Sequence, residues 1–350
     1  MKEMVKTMKI RARAPLRIGI AGGGTDVSPY CDVYGGCVLN ATIDRYAYTT
    51  IEASEGDILF QALDRSLFET WKPDRFSFKS SSLKLHAAVY SYMMEKYNGG
   101  VNLPLKLSTF CDAPIGSGLG SSSTIVVSMI SAFCELLNIP MDDYKIAQTA
   151  FHIERDICLF NGGAQDQYAA SFGGVNFMEF YSDRRVIVNP LRVKERILCE
   201  MESSLLLFFT GVSRDSSKII DAQSKSVQGK DQSSIEAMHS IKDEAKRMKD
   251  SLLTGNFPAI VESLRRGWES KKRSASVVSN EKINRAFRIA IAAGALAGKV
   301  SGAGGGGFIL FFVPLEKRKS VIDALSNEDG FISRCHFTDN GARAWRVYEE

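Results

Sequence analysis

Apolar positions along this chain change period several times, and the changes mark out its elements. Residues 9–21 alternate roughly between apolar and polar before Gly22-Gly23-Gly24, and 37–52 are rich in Val, Ile, Thr and Tyr, so both predict strands. His86, Tyr90, Met93 and Tyr97 share one face of a predicted helix that ends at Asn98-Gly99. Residues 105–110 predict a strand feeding a Gly-Ser loop. A run free of Gly and Pro then predicts a helix over 121–137, stopped before Pro140, and a second helix over 141–158. Gly162-Gly163 and Gly173-Gly174 predict a loop-rich stretch before a strand at 175–181. Beyond Pro190 the apolar run 205–209 predicts a buried strand. Helical segments follow over 215–293, broken near Gly229-Lys230-Asp231-Gln232. A strand at 308–313, a helix near 315–325 and strands near 332–338 and 343–348 complete the pattern. The result is an α+β protein of two units, 1–190 and 191–350, joined somewhere within 185–200.

Composition narrows the function classes. A length of 350 residues allows one large or two moderate domains, each with its own core. A net charge of +4, from 44 basic and 40 acidic residues, gives no reason to expect nucleic acid or membrane as a partner. Seven scattered cysteines without a Cys-x-x-Cys pair, and only four histidines, offer no zinc-type cluster and suggest reduced thiols. The first nine residues lack an apolar core, and no apolar run is long enough to span a bilayer. The expected location is cytoplasmic.

Chemistry enters at Ala113-Pro114-Ile115-Gly116-Ser117-Gly118-Leu119-Gly120-Ser121-Ser122-Ser123-Thr124. Three alternate glycines let backbone N–H groups turn inward on an anion, and the following helix adds its unpaired N–H groups and positive dipole end. A polyphosphate suits that arrangement, although a plain turn with a helix cap would look the same. No Walker sequence occurs, since Gly298-Lys299 is followed by Val300 and Gly229-Lys230 by Asp231. Gly302-Ala303-Gly304-Gly305-Gly306-Gly307 fits the dinucleotide fingerprint, but it precedes a strand-like run where that fingerprint requires a helix. A nicotinamide enzyme is therefore disfavoured.

Two further segments accompany the loop: residues 13–26, ending in Gly22-Gly23-Gly24-Thr25-Asp26, and Lys299-Val300-Ser301 leading into 302–307. In order and spacing the three resemble the motifs of the GHMP kinases, and the resemblance spans nearly the whole chain. Gly22–Asp26 with Val27-Ser28-Pro29-Tyr30, together with Gly35–Ile43 and 301–312, looks like the heptose kinase branch, which phosphorylates the anomeric hydroxyl of D-glycero-D-manno-heptose 7-phosphate. Galactokinases carry Gly-Glu-His-Thr-Asp where this chain has Gly-Gly-Gly-Thr-Asp. Fucokinase-type sequences share the Gly-Gly-x-Thr-Asp form, so L-fucose is a neighbouring alternative.

The resemblance implies a ribosomal-S5-like N-terminal domain and a ferredoxin-like C-terminal domain with the site between them. It also implies ATP and Mg²⁺. Residues Pro114, Gly116, Ser117, Gly118, Leu119, Gly120, Ser121, Ser122 and Ser123 would hold the ATP phosphates, and Ser122 with Glu154 the metal. Asp166 matches the catalytic aspartate and Arg17 the basic residue beside it, which would hold the carboxylate ionised and steady developing charge. Gly24, Thr25, Asp26, Gly304 and Gly305 would meet the sugar. A sugar phosphate needs a second anion site, for which Arg214, Lys271, Lys272 and Arg273 are the candidates. The four histidines have no motif context. A homo-oligomer is compatible with this reading, and a non-catalytic sugar and nucleotide sensor on the same fold is its counterpart from another class.

Overall fold

The computed structural model describes residues 9–114, 116–211, 216–229 and 231–348. Among these residues twelve strands and eleven α-helices follow in chain order. The first half contains β1 (Lys9–Ala21), α1 (Tyr30–Tyr34), β2 (Gly36–Ala53), β3 (Ile58–Ala62), β4 (Leu67–Trp71), α2 (Lys84–Tyr97), β5 (Leu105–Cys111), α3 (Ser121–Leu137), α4 (Asp143–His152), α5 (Gln165–Phe172), β6 (Val175–Phe180) and β7 (Val186–Pro190). The second contains α6 (Glu195–Ser204), β8 (Leu205–Phe209), α7 (Ser216–Gln228), α8 (Gln232–Thr254), α9 (Phe257–Ser274), α10 (Glu281–Ala292), β9 (Ala297–Val300), β10 (Phe308–Phe312), α11 (Arg318–Leu325), β11 (Phe331–Ser333) and β12 (Arg343–Val347).

One sheet runs β12-β1-β2-β5-β3-β4, with β6 and β7 added beside the first half of β2. Every pairing is antiparallel except β3 with β5. The second sheet, β11-β8-β10-β9, is antiparallel throughout. Its two central strands are continuous apolar runs because both of their faces are covered. Leu205, Leu207 and Phe209 of β8, with Phe308, Leu310 and Phe312 of β10, join a core that also contains Leu16, Ile18 and Leu39 of the first sheet. The alternate residues Leu206, Phe208, Ile309 and Phe311 pack on the other side with Trp268 and Ala286. A shared core thus joins the two halves of the chain along the line where the glycine-rich segments meet.

The predicted strands at 9–21, 37–52 and 308–313 and the helix at 121–137 are present within a residue or two. Several expectations change. The stretch expected as loop between the glycine pairs contains α5, whose eight residues are too short to display a helical period. The helix expected over 141–158 ends at His152 and continues as a π turn over Ile153–Ile157. Short β3 and β4 and helix α6 were not expected, and the strand expected over 332–338 shrinks to β11. The expected unit 191–350 is not one block, because β12 returns to pair with β1, Ala12 opposite Ala344.

Candidate active site

Strand β1 carries a proline at its middle, where it is tolerated because the register with β2 shifts between Pro15 and Arg17. Just past the irregularity Arg17 stands opposite Thr42 of β2, its backbone N–H reaching the Leu119 carbonyl at 3.1 Å and its Nη1 the Gly118 carbonyl at 2.7 Å. Its Nε and Nη2 both donate to Oδ1 of Asp166, at 2.6 and 2.5 Å. Asp166 sits in the first turn of α5. Among the described residues nothing donates to its Oδ2, which faces Gly120, where an added Cβ would lie 3.2 Å away.

Gly116, Gly118 and Gly120 all have φ between 69° and 80°, the left-handed region in which an L side chain is strained. At Gly118 a side chain would also collide with the Ser301 carbonyl, and Ser301 Oγ donates to the Gly118 carbonyl at 2.9 Å. Gly307 is similarly closed by Ser117, whose carbonyl accepts the Phe308 N–H at 2.8 Å. The Gly-Ser loop and the C-terminal glycine segment are therefore pressed together backbone to backbone. That segment joins β9 to β10 as a hairpin loop, so no helix follows it, in keeping with the rejection of a dinucleotide fold. Gly120 caps α3 without a side-chain bond, leaving the N–H groups of Ser121, Ser122 and Ser123 for an anion. Pro114 lies at the start of the loop. Leu119 contributes backbone only, since its side chain belongs to the core, and Ser117 Oγ is buried without a partner among the described residues.

Asp26 is buried between the first motif and α5. It accepts the Gly24 N–H at 3.1 Å, the Gln165 N–H at 3.2 Å and Gln165 Nε2 at 3.1 Å, and Gly163 has no room for a Cβ against it. Thr25 does not offer its hydroxyl to a substrate. Fully buried, Oγ1 bonds the carbonyls of Gly22 and Cys37 and accepts the Cys37 N–H, so its role is to shape the turn.

Two lysines that carried no assigned catalytic role complete the cluster. Lys271 Nζ donates to the Gly23 carbonyl at 2.8 Å and Lys299 Nζ to the Gly19 carbonyl at 2.6 Å. Burial pulls the Lys271 ammonium down to about 8, with Asp26 opposing and Arg17 adding to the shift. Burial takes Lys299 to about 7, helped by the nearby charges of Lys271 and Arg17. Arg17 and the two lysines, when protonated, outnumber the carboxylates Asp26 and Asp166, an excess of positive charge that favours an anionic ligand. Lys271 could have been found in the sequence, because it continues the buried face Ile260, Leu264, Trp268 of α9. Lys272 and Arg273 lie off that face: Lys272 pairs with Glu269 at 2.8 Å, and Arg273 is exposed and bonded to Ser270. Arg214 lies outside the described residues. Gly304 and Gly305 form part of the hairpin loop, held to Val278, whose carbonyl accepts the Gly305 N–H at 2.7 Å.

Beside the Gly-Ser loop, Ser122 Oγ donates to Glu154 Oε1 at 3.0 Å, and Gln167 Nε2 reaches Oε2 at 2.5 Å. Glu154 is 1% exposed and comes from the π turn after α4, a feature common at functional sites. Neighbouring ligands of an octahedral cation with bonds of about 2.1 Å are separated by roughly 3 Å, so this oxygen pair fits the edge of a Mg²⁺ shell. Among the described residues no three His, Cys, Asp or Glu side chains converge as a metal cage, so such an ion would draw on phosphate oxygens and water. No helix among the described residues is long and apolar enough to cross a membrane.

Residues 84–174 match the model of the GHMP kinases N-terminal domain and 248–330 that of the GHMP kinases C-terminal domain. The chain is 44% identical over 339 residues to a D-glycero-alpha-D-manno-heptose 7-phosphate kinase of Campylobacter jejuni, covering 97% of this chain and 99% of that protein. A solved structure described as a D-glycero-D-manno-heptose 1-phosphate kinase from Bacteroides thetaiotaomicron superposes with a TM-score of 0.82 at 42% identity, over 97% of this chain and all of that one. An L-fucokinase/L-fucose-1-P guanylyltransferase of Bacteroides fragilis is 23% identical over 88% of this chain, which spans 35% of that longer protein. The chain belongs to the GHMP kinase family of ATP-using phosphotransferases.

Proposed function

We propose that this protein is an ATP- and Mg²⁺-dependent kinase that phosphorylates the anomeric hydroxyl of D-glycero-D-manno-heptose 7-phosphate, giving the 1,7-bisphosphate for nucleotide-activated heptose synthesis in the cytoplasm. The observation that carries the reading is the Arg17–Asp166 pair opening onto the N-terminus of α3, in a chain 44% identical to a heptose 7-phosphate kinase. We take residues 1–190 as the ribosomal-S5-like unit, extended by β12, and the remainder as the ferredoxin-like unit.

In this reading the N–H groups of the phosphate loop and of Ser121–Ser123 cradle the ATP phosphates. Bound Mg²⁺, held by Ser122 and Glu154, would neutralise phosphate charge. Asp26 accepts from sugar hydroxyls and sets the ring's orientation. Asp166 Oδ2 accepts the proton of the attacking hydroxyl, while Arg17 fixes the carboxylate through Oδ1 alone. Lys271 and Lys299 offset the negative charge gathered by two phosphorylated substrates.

Coupled ADP-release assays across heptose 7-phosphate, heptose 1-phosphate, L-fucose, galactose and mannose test the assignment. Heptose 7-phosphate should give the highest kcat/KM. Good turnover of fucose with none of either sugar phosphate would overturn it, and so would exclusive use of the 1-phosphate, whose anomeric oxygen is already occupied.

A further inference from the structure

A cavity of about 650 Å³ adjoins Asp26, a volume suited to a small ligand. Four cations from three distant parts of the chain line it: Arg155 on the π turn, Arg184 and Arg185 on the turn between β6 and β7, and Lys225 on α7. The same π turn that sends Glu154 toward the phosphate loop sends Arg155 into this cavity.

The carboxylates lining the cavity are mostly committed elsewhere. Asp26 is held by Gly24 and Gln165, Asp32 bonds Ser28, and Asp221 accepts Asn161. Asp156 pairs with Arg184 at 3.0 Å, and Arg185 pairs with Asp183 at 3.6 Å. Two cations stay without a close carboxylate partner. Lys225 makes no ion pair among the described residues. Arg155 donates to the carbonyls of Gly163 and Phe160, its nearest carboxylate oxygen, on Glu154, is 3.8 Å away, and its Nε is buried with no partner. The guanidiniums of Arg155 and Arg184 both lie 5.9 Å from the centre of the Phe151 ring, so they flank one wall of the cavity.

A cavity that meets a sugar-hydroxyl acceptor and also carries under-partnered guanidinium and ammonium groups suits a sugar with a remote phosphate. We infer that Arg155, Arg184 and Lys225 form the subsite for the phosphate the sugar already carries, with Asp26 between that phosphate and the reacting hydroxyl. The inference rests on the sugar-phosphate reading above, and it replaces Lys272 and Arg273 as candidates for this role.

The test compares kcat/KM for heptose 7-phosphate with that for the same heptose lacking phosphate, in the wild-type protein and in Lys225→Glu, Arg184→Ala and Arg155→Lys. Lys225 and Arg184 are exposed, so the first two variants should keep the fold. Each variant should lower the ratio of phosphorylated to unphosphorylated kcat/KM about 10- to 100-fold, through KM for the phosphorylated sugar, as expected for losing a charged hydrogen bond. Equal losses on both sugars, or no loss, in a wild-type protein that strongly prefers the phosphorylated sugar would overturn the subsite alone. A wild-type protein indifferent to the sugar's phosphate would overturn the sugar-phosphate reading and the subsite together.

Discussion

Replacing Asp166 by Asn tests the catalytic assignment with little change of shape. In the native protein both Arg17 contacts fall on Oδ1, at 2.6 and 2.5 Å, and nothing among the described residues donates to Oδ2. The amide oxygen of Asp166→Asn can still face Arg17, but an NH₂ group then stands where Oδ2 stood and cannot accept a proton. Loss of a general base costs about 10²- to 10⁴-fold, or roughly 3–5 kcal/mol in the barrier. A stability cost accompanies it, because Arg17 is 3% exposed and loses its counter-charge. Breaking a fully buried pair costs about 3–5 kcal/mol. The Asp166 side chain is 22% exposed, so solvent screening reduces this to roughly 1–3 kcal/mol. Coupled ADP release at saturating substrates should show kcat down at least about 100-fold. Calorimetric ATP affinity should change by less than about threefold, because the phosphate loop is untouched. A variant with kcat within tenfold of wild type would refute the role given to Asp166.

Three further outcomes follow from the site. Ser122→Ala and Glu154→Gln should each raise the Mg²⁺ concentration needed for half-maximal activity about 10- to 100-fold, read from metal titrations at fixed ATP; unchanged curves would remove these residues from the metal site. Gly118→Ala places a Cβ against the Ser301 carbonyl at a φ of 77°, a strain of about 1–2 kcal/mol before any clash. It should raise KM for ATP at least tenfold, and a normal KM would mean the two glycine segments are not locked together. Lys271 and Lys299, held near 8 and 7, are partly or mostly neutral at pH 8. Binding of ATP raises both toward the charged form and should take up protons. Calorimetry at pH 8 in buffers of different ionisation enthalpy reads that uptake, which should vanish at pH 6, where both lysines are already charged; no buffer dependence at pH 8 would contradict it.

Much of this site was legible because its elements are local. Glycines at alternate positions before an apolar run declare a tight backbone loop that opens a helix, and five-residue apolar runs declare strands covered on both faces. The pairing of Arg17 with Asp166 was accessible only through family resemblance, since 149 positions separate the two residues. Thr25 entered the sugar-meeting set through family resemblance, and it is the tertiary fold that turns its hydroxyl to the Gly22 and Cys37 carbonyls. Lys271 stood in a Lys-Lys-Arg run that resembles a solvated face, and only the period of α9 separates it from its two neighbours. Helix α5 was hidden by its own brevity, and the return of β12 to the first sheet is a long-range pairing that no local pattern announces.

The central claim is transfer of phosphate to the anomeric oxygen of a sugar that already carries one. Phosphorus and proton NMR of the product formed from ATP and heptose 7-phosphate tests it directly. The account predicts a second phosphorus resonance coupled to the anomeric proton, beside the unchanged signal at position 7. A new phosphate coupled to any other sugar proton, or no new resonance while fucose is phosphorylated, would contradict it.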